Sequence, residues 1–324
     1  MPLRVAVLGS TGFTGSYLTV ELLHRGHTVI GLSRDPSKIG SHARYEPCSI
    51  DIAERSFTEL REVLEDKVRC EVLIVAYGPG PNGGGEDGVY MTFLETVRKA
   101  ILAVKTIKNN EGSGKNKRPY LIFIGGAGSL HAPSTHEACI DTPTFLLAYR
   151  RALGTSAAQI AYMEARAGTL LPGLHAYRSA RISQTNGTAT AAELSTITAF
   201  DSDDESMKSA VRFIKAARAA YLFFEGDEGF EWSFVSPAAL YRAGRGTGGY
   251  EVKVDEVVLV GERREGESVF EGRLTGVQAG DLARAVVDEV EGRRLVWRHW
   301  CAWGDVEGVE GSGEVVLGLG ECVG

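Results

Sequence analysis

An α/β fold with a doubly wound parallel sheet is predicted by three features of this 324-residue sequence. Apolar runs of strand length alternate with segments of helical period along the chain. Two of those runs, Val72–Ala76 and Tyr120–Ile124, are apolar without a break, as strands buried on both faces are. Several of the runs end in glycine-rich turns, and in such a sheet the carboxyl ends of the strands form the ligand crevice.

The first strand, Arg4–Leu8, runs into Gly9-Ser-Thr-Gly-Phe-Thr-Gly15, and a helical pattern with Tyr17, Val20 and Leu23 follows. Each glycine serves a separate mechanical purpose. One makes a tight turn, one allows close approach of backbone to a pyrophosphate, and one allows helix to pack on strand. The helix N-terminus then favours the phosphate charge. This is a Rossmann-type dinucleotide site, with Gly9, Thr11, Gly12, Phe13, Thr14 and Gly15 as cofactor contacts. The helix ends near Gly26, and a second strand, Thr28–Leu32, leads into Ser33-Arg34-Asp35-Pro36. An acidic residue at this strand end would bind a ribose 2′-hydroxyl, whereas Ser33 and Arg34 suit a 2′-phosphate, so NADP(H) is favoured over NAD(H).

A short strand around Tyr45–Cys48 precedes Asp51 and Ile52. Asp51 is either an adenine contact or the N-cap of the next helix, which carries Phe57, Leu60, Val63 and Leu64. The strand Val72–Ala76 ends in Ala76-Tyr77-Gly78, small enough for ribose and nicotinamide to lie close to backbone. A glycine-rich loop to Gly88 is either a lid or a surface insertion. A helix over Val89–Lys108, a polar connector over Asn109–Lys117 and the strand Tyr120–Ile124 come next. That strand ends in Gly125-Gly126-Ala-Gly-Ser129-Leu130, with His131 just beyond, so a second glycine-rich end faces the same crevice. Asp141-Thr-Pro143 reads as a helix start, the helix passing Tyr149 and running to about Arg166. Residues 171–205 read as a polar insertion without sustained period, and a further helix starts near Ser206. Strand Glu231–Val235 follows, then short strands around Val252–Val260, Ser268–Arg273 and Leu295–Trp303, with a helix over Asp281–Glu291.

These pieces resemble the atypical short-chain dehydrogenases/reductases of the NmrA-like and NAD(P)H-binding reductase type. The resemblance is carried by Gly9–Gly15, Ala76–Gly78, Ile124–Leu130, Asp141-Thr-Pro-Thr-Phe145, Glu231-Trp-Ser-Phe-Val-Ser-Pro-Ala238 and Arg245-Gly-Thr-Gly-Gly-Tyr250. It implies a Rossmann domain over residues 1–240, interrupted by the 171–205 insertion. It further implies a small substrate-binding part over 241–304, which leaves 305–324 as an acidic, solvated tail. It implies bound NAD(P), contacted also at Gly125, Gly126, Ser236, Pro237 and Ala238, and a lysine of catalytic type near Lys215.

A short-chain dehydrogenase of the usual kind pairs a tyrosine acid with a lysine four residues on, and a serine orients the carbonyl. Here Tyr149 is followed at that spacing by Leu153, and Gly125 and Gly126 occupy the usual serine place. The candidates for proton donor, carbonyl orienter and ribose contact are therefore Tyr149, Ser129, His131 and Lys215. His131 reads equally as a loop surface residue and Tyr149 as a packed helix residue.

The formal charge of −7 argues against nucleic acid or an anionic membrane as partner. No early basic-plus-apolar segment or membrane-length apolar run is present, and the five cysteines are scattered, so a cytoplasmic protein with reduced thiols and no metal centre is expected. The function expected is NADPH-dependent reduction of a small carbonyl, enone or imine compound, in specialised metabolism. The alternatives are an isomerase or cyclase on the same scaffold and an NADP(H)-sensing regulator without turnover.

Overall fold

The computed structural model describes residues 1–78, 86–108, 118–133, 135–167, 172–202, 208–304, 306 and 314–322. The strands are β1 (Arg4–Leu8), β2 (Thr28–Ser33), β3 (Tyr45–Ser49), β4 (Val72–Val75), β5 (Tyr120–Ile124), β6 (Trp232–Pro237), β7 (Leu240–Arg242), β8 (Glu251–Val254), β9 (Gly276–Gln278) and β10 (Arg298–Trp303). The main sheet has the order β3-β2-β1-β4-β5-β6-β10-β8, parallel throughout except for β8, which runs antiparallel along β10. The order reverses between β1 and β4, and the crevice of a doubly wound sheet opens at that point. Strands β7 and β9 pair with each other outside it.

The helices are α1 (Phe13–His24), α2 (Phe57–Glu62), α3 (Glu86–Thr106), α4 (Phe145–Thr155), α5 (Ala157–Ala167), α6 (Pro172–Thr185), α7 (Ala191–Ser202), α8 (Lys208–Tyr221) and α9 (Ala279–Gly292). Side chains alternate across the central strands, so each apolar run feeds two cores. Val5, Val7, Val72, Ile74, Tyr120 and Ile122 pack with α1 and α9 on one face. Ala6, Leu8, Leu73, Val75, Leu121 and Phe123 pack with α2, α3 and α8 on the other. This double burial, with β1 almost wholly inaccessible, is why those runs carry no polar alternation.

Four expectations change. Residues 172–202 form the hairpin α6–α7, whose own small core is Tyr177, Ala180 and Ile197, with the Tyr177 ring stacked on Phe200 at 3.9 Å. Thr190 and Glu193 form a capping box at the start of α7, a local signal that a search for long periods passes over. The single helix expected from Asp141 is instead a short turn, then α4 and α5 broken at the extended Ser156. Gly154 is required by close packing: a Cβ there would lie 2.6 Å from the Tyr177 ring of α6. No strand forms over residues 268–273, where turns are set by Gly266 and Gly272 at positive φ. The tail is not a solvated end where it is described. Leu317 and Leu319 are buried, the Leu317 amide donates to Ser16 Oγ, and Tyr17 Oη donates to the Glu314 carbonyl. The stretch 79–85 of the glycine-rich loop and the 109–117 connector lie outside the described residues.

One polar cluster is enclosed on the α8 side of the sheet. Ser236 Oγ on β6 lies 2.9 Å from His299 Nε2 on β10, and Ser129 Oγ lies 3.0 Å from Ser236 Oγ and 3.3 Å from the same ring nitrogen. The Tyr221 ring of α8 covers the imidazole at 4.3 Å between centroids. Burial, with the positive charges of His131 and Arg218 behind it, pushes the His299 pKa from 6.5 down to about 3, so the ring stays neutral. The unfolded chain takes up a proton near the ordinary value and the folded chain does not. Stability linked to His299 is therefore complete above pH 6.5 and is lost as the pH falls toward 3. Replacing His299 by Gln should flatten this dependence: between about pH 7 and about pH 5 the wild-type chain should lose about 2 kcal/mol more than the variant in urea unfolding. Equal losses would show that His299 does not carry the acid sensitivity.

Candidate dinucleotide site

The site is built on the turn between β1 and α1. Gly9 sits at φ +88°, its amide donates to the Leu32 carbonyl of β2 at 2.8 Å, and a Cβ on it would lie 2.8 Å from the Ala76 carbonyl beyond β4. Gly15 packs on the Gly9 carbonyl so closely that a Cβ would come within 2.0 Å. The turn is thus wedged between β2, β4 and α1, and only glycine fits its two ends. Gly12 is exposed and caps α1 without any side-chain hydrogen bond, so the first-turn amides meet no competing protein oxygen from the cap. Thr11, Phe13 and Thr14 are half-buried around it.

At the end of β2 the Ser33 hydroxyl is buried and has no hydrogen-bond partner among the described residues. Arg34 beside it is exposed, and its guanidinium enters no ion pair or side-chain hydrogen bond among the described residues. Its carbonyl accepts from Ser49 Oγ at 2.9 Å, which ties the end of β3 to it. Asp51 accepts from the Ala53 amide at 3.1 Å in its own turn, with Ile52 buried behind. The cap of α2 is Ser56, in a capping box with Glu59, so the N-cap alternative for Asp51 is corrected. Strand β4 leads to half-buried Ala76 and Tyr77 and exposed Gly78. Across the crevice, the Gly125 amide donates to the Val235 carbonyl, and its α-carbon faces the Phe234 ring with no room for a Cβ. Gly126 faces open space.

The remaining sequence candidates are dispersed. Ser129 is fully buried and its hydroxyl is held by the Gly126 carbonyl, Ser236 and His299, so it is not free to orient a substrate carbonyl. His131 lies along the β8 edge, its amide donating to the Asp255 carbonyl at 2.8 Å. Lys215 is exposed on α8, whereas Tyr149 is half-buried on α4 against the core of the opposite face. Ser236, Pro237 and Ala238 are buried. A cavity of about 260 Å³ between α4, α6 and residues 266–271, lined by Thr144, Leu147, Arg151, Arg181 and Glu271, contains none of these residues.

Sequence reasoning missed His299, a lone histidine in an apolar strand with no local sign of its two serine partners. It also missed the aromatic cover of the glycine turn. The Phe13 ring lies 5.4 Å from Tyr162 of α5 and 4.9 Å from Tyr241 of β7, and no motif marks those two tyrosines. Among the described residues no cluster of metal-ligating side chains occurs, and no helix is long and apolar enough to cross a membrane.

Residues 5–90 match the NAD dependent epimerase/dehydratase family. The uncharacterized protein YwnB of Bacillus subtilis is 22% identical over 291 residues, 89% of this chain and 92% of its own length. Among solved structures, a Bacteroides thetaiotaomicron protein provisionally named an epimerase superposes with a TM-score of 0.59 at 19% identity, covering 94% of this chain and 97% of its own. A Streptococcus pneumoniae protein provisionally named an NADH-flavin reductase gives 0.55 at 16% identity, covering 94% and 100%. The match over residues 5–90 contains the Gly9–Gly15 turn, and the superpositions show that the chain shares the Rossmann-type fold of these proteins.

Proposed function

We propose that the chain is an NADP(H)-dependent oxidoreductase that reduces a small carbonyl, enone or imine compound. The observation that carries this reading is the Gly9–Gly15 turn, in which a Cβ at Gly9 or Gly15 would collide with neighbouring backbone and which opens on the N-terminus of α1, where Gly12 brings no side-chain cap. The Ser33 hydroxyl and the Arg34 guanidinium, each without a side-chain partner among the described residues, support a 2′-phosphate as the group read at the end of β2. In this reading the amides of Phe13, Thr14 and Gly15 hold the pyrophosphate, and Asp51 and Ile52 border the adenine. Ala76–Gly78, Gly125 and Gly126 border the ribose and nicotinamide, with the backbone of Ser236–Ala238 below. NADPH bound there supplies the hydride. The substrate lies under the segment 241–304, and Tyr149 is the proton donor that completes the reduction.

A second reading, an NADP(H)-responsive binding protein without turnover, is favoured by two observations: the Ser129 hydroxyl is enclosed with His299, and no lysine follows Tyr149 at the usual spacing.

Two measurements test these readings. Replacing Arg34 by Ala should weaken NADPH about ten- to a hundredfold, the worth of a lost charge-assisted phosphate contact, and leave NADH within about twofold in a fluorescence titration. Equal losses for both would remove the 2′-phosphate assignment. A panel of aldehydes, enones and imines should yield stoichiometric NADPH oxidation, lost in Tyr149→Phe. Tight NADPH binding with no oxidation across a wide panel would select the binding protein instead.

A further inference from the structure

Tyr241, the second residue of β7, donates its hydroxyl to Thr14 Oγ1 at 3.0 Å across 227 residues of sequence. Thr14 stands in the first turn of α1, between the two glycines at which the turn opens and packs. A threonine hydroxyl that accepts from a neighbour still has one proton to give. Among the described residues no protein acceptor takes it. The Tyr241 ring is itself held in place: it lies 4.9 Å from Phe13, which also contacts Tyr162 of α5 at 5.4 Å and Tyr17 at 5.9 Å. The phenol therefore comes from a braced ring, and the hydroxyl that it meets is fixed on its accepting side and open on its donating side. Gly12 brings no side chain to compete for the same space.

We propose that Tyr241 is a positioning residue for the dinucleotide. Its hydroxyl turns the Thr14 hydroxyl so that the Thr14 proton is donated to a phosphate oxygen of the pyrophosphate at the N-terminus of α1. A free threonine rotor would have to be ordered when the phosphate arrives. One already held by a phenol is not, and its bond to an anionic oxygen is of the stronger, charge-assisted kind. The same contact joins the segment that follows β6, under which the substrate lies in the reading above, to the turn that holds the phosphates. The inference rests on the dinucleotide reading and adds a residue that none of the glycine motifs contains. Because the pyrophosphate is common to both cofactors, the contact serves NADPH and NADH alike, unlike Arg34.

The test is a double-mutant cycle of Tyr241→Phe and Thr14→Val, with NADPH and NADH titrated separately into each protein. Tyr241→Phe keeps the ring and its contacts and removes only the hydroxyl. It should weaken both cofactors about three- to tenfold, Thr14→Val should weaken them at least as much, and the double variant should bind no worse than Thr14→Val alone. Wild-type affinity in Tyr241→Phe would overturn the proposal, as would losses that multiply in the double variant or a loss confined to one cofactor. A wild-type chain that binds neither cofactor would overturn the dinucleotide reading itself, an outcome distinct from failure of the cycle.

Discussion

The Gly9 peptide is the junction on which the rest of the site depends. Its amide is bound to β2, its α-carbon lies against the Ala76 carbonyl beyond β4, and its own carbonyl receives Gly15 of α1. Three elements converge on one residue that has no side chain, so the two strand ends flanking the reversal of strand order and the N-terminus of the first helix are brought within reach of one ligand. α1 is then held from outside. α9 packs along it, Arg25 pairs with Glu21, Asp288 and Glu291, and Leu317 and Leu319 of the C-terminal segment cover it. The N-terminal end of α1 is therefore aimed by contacts that span the chain from end to end.

The other side of the crevice is set by a different kind of interaction. The loop after β5 is held down because Ser129 is bonded to Ser236 and His299 on the two neighbouring strands and to the carbonyl of Gly126. The two hydroxyls and His299 Nε2 satisfy one another, which restricts the loop to few arrangements, while His299 Nδ1 has no partner among the described residues. Gly126 is left facing open space above it while Ser129 is turned beneath. The residue that looked from sequence like a carbonyl orienter serves the shape of the loop instead.

Legibility differed with the range of the interactions. The glycine turn, the two uninterrupted apolar strands and the doubly wound order were readable because each rests on local chemistry: a turn that excludes Cβ, and burial on both faces. The α6–α7 hairpin was not, since its stability lies in the stacking of Tyr177 on Phe200, residues in two helices that meet only when folded. The tail was misjudged for the same reason: its two buried leucines, Leu317 and Leu319, find α1 from the far end of the chain.

By itself, then, the sequence determined the α/β class, the order of most elements and the glycine turn after β1, because periodicity and steric exclusion act within a few residues. Only the tertiary structure decided which candidate side chains face the crevice. It enclosed Ser129 with His299, placed Lys215 and Tyr149 on opposite faces of the sheet, and brought Tyr241 to Thr14. Those choices depend on strand register and on helices packed from distant parts of the chain, and no spacing along the sequence records them.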